Sequence, residues 1–436
     1  MRATSKRVAV TGLGLVTPLG NDVASTWKAL LAGESGVCEI AGFDASGFPT
    51  RIAAEVKGFD VRSAIEERKS LKYATSFSLF ALAAAEEAVR DAGIRPTAAT
   101  AERWGLVSGS GMMTQEFDFL ERFQQRFAPQ GEIDVAKLGA EGDRFIAPTE
   151  FARHRAVAGQ ALLHERFGIR GYSANLHTAC ASGGQALGLA MRVIRSGQSD
   201  VVLAGGYDTM INPIGLAGFC LLGAISTDND RPTQASRPFD LTRNGFVLGE
   251  GAGFMVLEEW QSATKRGAKI YGELAGEGNS LSSYRITDSP PSGDGPIQAI
   301  RGALEDAGES VDAIDYVNAH GTSTPMNDLS ETNAIKAVFG ARAADLAVSS
   351  TKSQMGHLIA AAGAVEGVIC ALAIEHATAP MTINLRTPDP ECDLDYIPKG
   401  CRPMAIDLAL SNSFGFGGSN SCLVLRSPRR AEQLES

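Results

Sequence analysis

The chain has no run of about 18 uninterrupted apolar residues, so no helix is expected to span a membrane. Its seven cysteines (38, 180, 220, 370, 392, 401 and 422) are odd in number, widely spread and form no CxxC pair. That argues against a disulfide framework and against a zinc ribbon. The start, MRATSKRVAVTGLG, is basic but has no long apolar stretch before its first glycine, so it does not read as a secretory signal. Basic excess is also missing. A net charge of −10 is the wrong sign for a general nucleic-acid binder, and an acidic partner would need a local basic patch. These absences together predict a cytoplasmic protein with reduced thiols.

What is present is ordinary globular composition, 44% hydrophobic and 21% charged over 436 residues, enough for two to three domains or two merged halves. KRVAVTGLGLVTPLG reads as a strand entering a glycine-rich turn, and residues 78–94 as an amphipathic helix stopped at Gly93. RWGLVSGSG, DVVLAGGYD and GAGFMVLEEW read as further strands, so helices and strands alternate and the class is α/β. One layout occurs twice. SANLHTACASGGQALGLAMRVIRSG and LAVSSTKSQMGHLIAAAGAVEGVICALAIEH are each an extended segment, a turn and an Ala/Gly-rich helix, followed later by a glycine-interrupted strand. An internal duplication with halves meeting near 258–270 follows, against coincidence between two small-residue helices. Helices so poor in bulk allow close backbone approach, which places both in the middle of the molecule.

Cys180 sits where small residues turn into the first of these helices. Unsatisfied N–H groups and the helix dipole there favour a thiolate, which predicts a lowered thiol pKa and no need for a base against the sulfur. Position alone leaves two readings open, a nucleophile or a small core residue. His320 ends an apolar strand before Gly321, and His357 stands at the mouth of the second small-residue helix. A neutral imidazole in such a place can donate a hydrogen bond to a developing oxyanion, although a lone histidine is more often structural. His154 and His164 fall in a polar helical stretch and are expected in solvent. SNSFGFGGSN (411–420) reads as a loop whose amides can face a ligand, or as a tight hairpin.

Taken together, TACASG, RPFDLTRNGFVLGEGAG, VNAHGTSTPMND, STKSQMGHLIAAAGAVE and NSFGFGGSN, in that order, resemble the signatures of the β-ketoacyl-acyl-carrier-protein synthases. These are the elongating condensing enzymes of dissociated fatty-acid and polyketide pathways. The resemblance runs from about residue 6 to 426 and includes VAVTGLGLVTPLG. It implies a thiolase-like fold of two duplicated halves, here 1–258 and 259–436, in five layers α-β-α-β-α, and a homodimer. It implies decarboxylative condensation of malonyl-carrier protein with an acyl chain held on Cys180. The substrates ride on the phosphopantetheine of an acyl carrier protein, so neither a cofactor nor a metal is implied.

Residue by residue, the resemblance makes Cys180 the acyl acceptor and His320 and His357 the histidine pair. Lys352 and Glu366 match a buried ion pair, and the amides of Cys180 and Phe416 an oxyanion hole. Thr322, Thr324 and Thr287 match contacts to the phosphopantetheine arm. Phe414 and Phe416 match a gate, and Met112 a side chain that limits acyl length. Arg62, Arg68, Lys69 and Lys72 form a candidate docking patch for an acidic carrier, although a charge run is usually only a solvated face. Three departures stand out. His177 occupies a place usually small or apolar, and either packs in the turn or tunes Cys180. Arg285 replaces a common histidine, and SGSGMMTQEFDFLERF replaces a glycine-richer run. Degradative thiolases, with a second cysteine in a CxGxG-like loop, and chain-initiating synthases, with Cys-His-Asn, fit less well. A chain-length-determining partner subunit of a polyketide synthase dimer is the alternative of another class, and such subunits typically lose the cysteine.

Overall fold

The structure is a computed structural model that describes residues 6–65, 71–111, 116–285, 287 and 289–433. Ten strands make the main sheet: β1 (Val8–Val16), β2 (Trp104–Ser110), β3 (Ser173–Leu176), β4 (Val201–Asp208), β5 (Gly251–Glu259), β6 (Gly272–Leu281), β7 (Tyr316–Asn318), β8 (Ala347–Ser349), β9 (Leu408–Phe414) and β10 (Ser419–Arg426). Their spatial order is β8-β7-β9-β10-β6-β1-β5-β4-β2-β3. Read outward from the β1–β6 junction, both directions give the same connectivity: first strand, fifth, fourth, second, third. The pairings repeat as well, two antiparallel and then two parallel. At the junction β1 and β6 meet only at Ala9–Glu273 and Val10–Gly272.

Period-2 alternation sends each strand's side chains to two different cores. On β2, Val107 faces inward with Val202 and Ala204 of β4, while Trp104, Leu106 and Leu203 face outward. The outer face is covered by helix α1 (Ser76–Ala92). Thr75 and Ser78 form a capping box at its start, and Gly93 ends it in the left-handed region. In the other half, helix α3 (Asp294–Ala307) and helix α4 (Pro325–Phe339) build the matching outer core on β6, β7, β9 and β10. Between the half-sheets lie α2 (Ser182–Arg195) and α5 (Ala362–Glu375), each of 14 residues. The layers therefore run helix, sheet, helix, sheet, helix.

Small residues explain the middle layer. A Cβ on Gly183 would stand 2.7 Å from the Ala364 nitrogen, and one on Gly363 would stand 2.6 Å from the Gly184 nitrogen. The two helices thus touch backbone to backbone. Residues Ala362–Ile374 of α5 are buried all round, as a helix without a polar face must be.

One expectation fails here. His154 is buried, its ring tilted against Phe119 with centroids 4.8 Å apart in an aromatic cluster with Phe123, Phe127 and Phe145, and burial lowers its pKa. His164 is half-buried, its ring nitrogens bonded to the Ile169 carbonyl and the Ser173 hydroxyl. The polar sequence around both hid the tertiary contacts that cover them. Among the described residues, no helix is long and apolar enough to cross a membrane.

Candidate active site

The chain reverses sharply after β3. Ala179 adopts φ 49°, a left-handed conformation unusual for a residue with a Cβ, and the short turn Ala179–Ala181 leads directly into α2. Strain of this kind concentrates at functional turns and has to be held by the surroundings. Here the holding bonds are local. The Thr178 N–H donates to the Ser182 hydroxyl, which donates to the Ala179 carbonyl. The turn puts Cys180, 3% exposed, at the floor of a cavity of about 220 Å³.

His320 and His357 reach the same point from the second half. The Cys180 sulfur and one nitrogen of each ring lie within 4.8 Å of one another, with His357 Nε2 3.0 Å from the sulfur. The rings meet edge to face, centroids 5.2 Å apart. The Ile359 N–H donates to His357 Nδ1 at 3.2 Å, so the neutral ring carries its proton on Nε2. That makes Nε2 a hydrogen-bond donor rather than a base or a metal ligand. Burial, and secondly the charge of Lys352, lowers both histidine pKa values well below 6.5, so both rings are neutral near pH 7.

The thiol departs from the sequence expectation. Burial pushes Cys180 up to about 11, against the opposing pull of the Phe416 amide, Lys352 and its own amide. The helix terminus is present, but desolvation of the buried sulfur outweighs it. The imidazole that does sit against the sulfur has its proton turned toward it.

Lys352 and Glu366 form a buried ion pair, each about 1% exposed, and burial raises Glu366 to about 7 despite the lysine. Phe414 lies 5.8 Å from His320, centroid to centroid, and Phe416 packs near Phe219. Gly415 passes so close that a Cβ there would stand 3.2 Å from the Cys180 nitrogen. Thr322, Thr324 and Thr287 line the cavity, and the Thr322 and Thr324 hydroxyls are 2.9 Å apart. Met112 lies outside the described residues, as do Arg68 and Lys69, while Arg62, Lys72 and Arg285 are exposed.

His177 is resolved as a packing residue. Its Nδ1–H donates to the Ser110 carbonyl at 2.8 Å and Asn175 approaches Nε2 at 3.4 Å, tying β3 to the end of β2. Sequence reading missed Glu331. Fully buried on α4, it accepts the His320 and Gly321 amides at 2.9 and 2.8 Å and the Asn412 side chain at 3.0 Å. Its signal was there: Asp328, Glu331 and Ile335 occupy one helical face, so two acids sit in an apolar stripe.

Known proteins match this arrangement along almost the whole chain. Residues 5–263 match the family described as beta-ketoacyl synthase, N-terminal domain, and residues 271–386 its C-terminal domain. The 3-oxoacyl-[acyl-carrier-protein] synthase 2 of Coxiella burnetii is 44% identical over 420 residues, covering 96% of this chain and 98% of the relative. The protein of the same name from Synechocystis is 41% identical over 427 residues, covering 97% and 98%. A solved type II polyketide ketosynthase, in complex with its acyl-carrier protein, superposes with a TM-score of 0.86 at 36% identity, covering 97% of this chain and all of that one. With a buried cysteine and two neutral histidines converging in a duplicated α-β-α-β-α frame, and relatives of this identity spanning nearly its full length, the chain belongs to the beta-ketoacyl synthase family of condensing acyltransferases.

Proposed function

We propose that this chain condenses a Cys180-bound acyl group with malonyl-carrier protein, giving β-ketoacyl-carrier protein and CO₂ in fatty-acid or related lipid or polyketide synthesis. The observation that carries the reading is the cluster of one sulfur and two imidazoles within 4.8 Å at the floor of a threonine-rimmed cavity.

In the first half-reaction the Cys180 thiolate attacks the carrier thioester. The S–C bond to the carrier breaks, and the carrier leaves as a thiolate that takes a proton from solvent. In the second, malonyl loses CO₂ and its bonding pair becomes an enolate. The His357 Nε2–H and the His320 ring supply hydrogen bonds where the negative charge gathers on the thioester oxygen. The enolate carbon attacks the acyl-Cys180 carbonyl, the amides of Cys180 and Phe416 hold the tetrahedral oxyanion, and the thiolate leaves. The charge begun on the malonyl carboxylate ends on sulfur, so the cycle restores a thiolate that a group with a pKa of about 11 would not reach unaided at neutral pH.

Lys352 and Glu366 support the histidines by charge and do not touch substrate. Thr322, Thr324 and Thr287 hold the phosphopantetheine arm, and Phe414 and Phe416 gate the acyl site. Arg62 and Lys72, with Arg68 and Lys69, receive the carrier. The enzyme works as a cytoplasmic homodimer, with its halves divided at 258/259. The presence of Cys180 in the cluster argues against a chain-length partner without a nucleophile.

The test is reconstitution with malonyl- and acyl-carrier proteins of graded chain length. A β-ketoacyl product two carbons longer than the acyl donor is expected by mass spectrometry. Acylation of Cys180 without CO₂ release at any chain length would refute the condensation.

A further inference from the structure

The strained turn that carries Cys180 exists twice. Ile359 has φ 47°, matching Ala179, and the turn Ile359–Ala361 leads into α5 as Ala179–Ala181 leads into α2. The following residues, Ser182 and Ala362, have almost the same dihedrals, −53°, −49° and −52°, −54°. Aligning the turns sets His177 on His357 and Cys180 on Ala360.

In each half, the third strand outward from the sheet's centre ends against the turn of the other half. β9 is followed by Gly415, which leaves the Cys180 amide without a covering side chain. β4 ends at Asp208, which is 2% exposed and accepts the Ala360 N–H on Oδ2 at 3.0 Å. A Cβ on Gly111 would collide with this carboxylate, so the chain keeps room for it. One copy of the amide pocket is open to a substrate oxygen, and the other is filled by a built-in carboxyl group at the start of α5, which burial raises to about 7 against the pull of the Ala360 and Thr209 amides.

We propose that Asp208 is a positioning residue for His357: by filling the second amide pocket it anchors Ala360, and so holds Ile359 where its N–H fixes His357 Nδ1 and leaves Nε2–H aimed at the enolate oxygen. The proposal rests on the reading of His357 as an enolate donor. The path is short and continuous, from the Asp208 carboxylate to the Ala360 N–H, through one peptide to Ile359, and from the Ile359 N–H to the ring.

Asp208→Ala, Asp208→Asn and His357→Ala, each in the full chain, separate the possibilities. The readouts are malonyl-carrier decarboxylation, the rate of Cys180 acylation, and the His357 tautomer from ring ¹⁵N shifts. Asp208→Ala is expected to lower decarboxylation about 10- to 100-fold, the cost of a misplaced group, without slowing acylation. Asp208→Asn keeps an oxygen acceptor for Ala360 and is expected to retain both decarboxylation and the Nε2–H tautomer. The proposal is overturned if His357→Ala is inactive while Asp208→Ala decarboxylates normally, or if Asp208→Ala slows both half-reactions equally. Should the alanine variant fail to fold, loss of the tautomer or of decarboxylation in folded Asp208→Asn overturns it. Normal decarboxylation by His357→Ala would instead sink the parent reading of that histidine.

Discussion

The turn at Ala179–Ala181 and the turn at Ile359–Ala361 have the same backbone and opposite fates. The first presents a thiol and an uncovered amide to a cavity; the second presents an alanine whose amide is occupied by Asp208. The second has no thiol and no uncovered amide but keeps His357, whose counterpart His177 is a strut against the Ser110 carbonyl. A duplicated fold has thus divided one turn's parts between two copies. The lesson is that the two copies differ in their side chains, not in their backbone geometry.

The most severe way to break the contrast is Cys180→Ala, which gives the first turn the side chain of the second. Acyl transfer to the enzyme should vanish while the fold stays, because the change removes one buried sulfur. An acyl adduct on the variant in mass spectrometry would show that the two turns do not differ in the way described. His320→Ala should come next, lowering malonyl decarboxylation by roughly 10²–10³, the usual cost of one oxyanion donor. Near-normal CO₂ release would leave His320 as a structural neighbour of Phe414 only.

Alkylation sharpens the same contrast through pH. Burial holds the Cys180 thiol near 11, so it should remain protonated through neutrality. The iodoacetamide rate at Cys180 should therefore climb about tenfold per pH unit from 6 to 10 without levelling, as expected for a group titrating above that range. A plateau near neutrality, read by peptide mass spectrometry, would mean that the helix terminus wins over desolvation after all.

That outcome also marks what the sequence could and could not say. Cys180, His320 and His357 were legible because each stands in a short motif at an element boundary, and the duplication was legible because small residues recur in two long helices. The sign of the thiol shift was not, because it depends on how much protein covers the sulfur. Glu331 and Asp208 act on amides, and a backbone amide has no residue type to read; the partner of Asp208 lies 152 positions away. His177 looked anomalous for the same reason, since its carbonyl partner is on another strand. Local pattern gives the proposed reacting groups, and non-local packing gives the contacts that hold them.

The smallest expected effects test whether the two helices cross-wire the turns. Gly183 stands three residues after Cys180, yet a Cβ there would press on the Ala364 nitrogen at 2.7 Å and the Ala360 carbonyl at 2.9 Å, in the histidine-bearing half. Gly363 stands near His357 in sequence, yet its Cβ would press on Gly184, in the cysteine-bearing helix, and on the Ser413 hydroxyl, both at 2.6 Å. Each alanine overpacks a backbone contact and should cost about 1–3 kcal/mol of stability, seen as a lowered Tm. Their kinetic effects should cross: Gly183→Ala weighs more on malonyl decarboxylation, Gly363→Ala more on Cys180 acylation. If each variant instead impairs the half-reaction of its own sequence neighbour, the strain stays within one half, and contact between α2 and α5 does not couple the two turns.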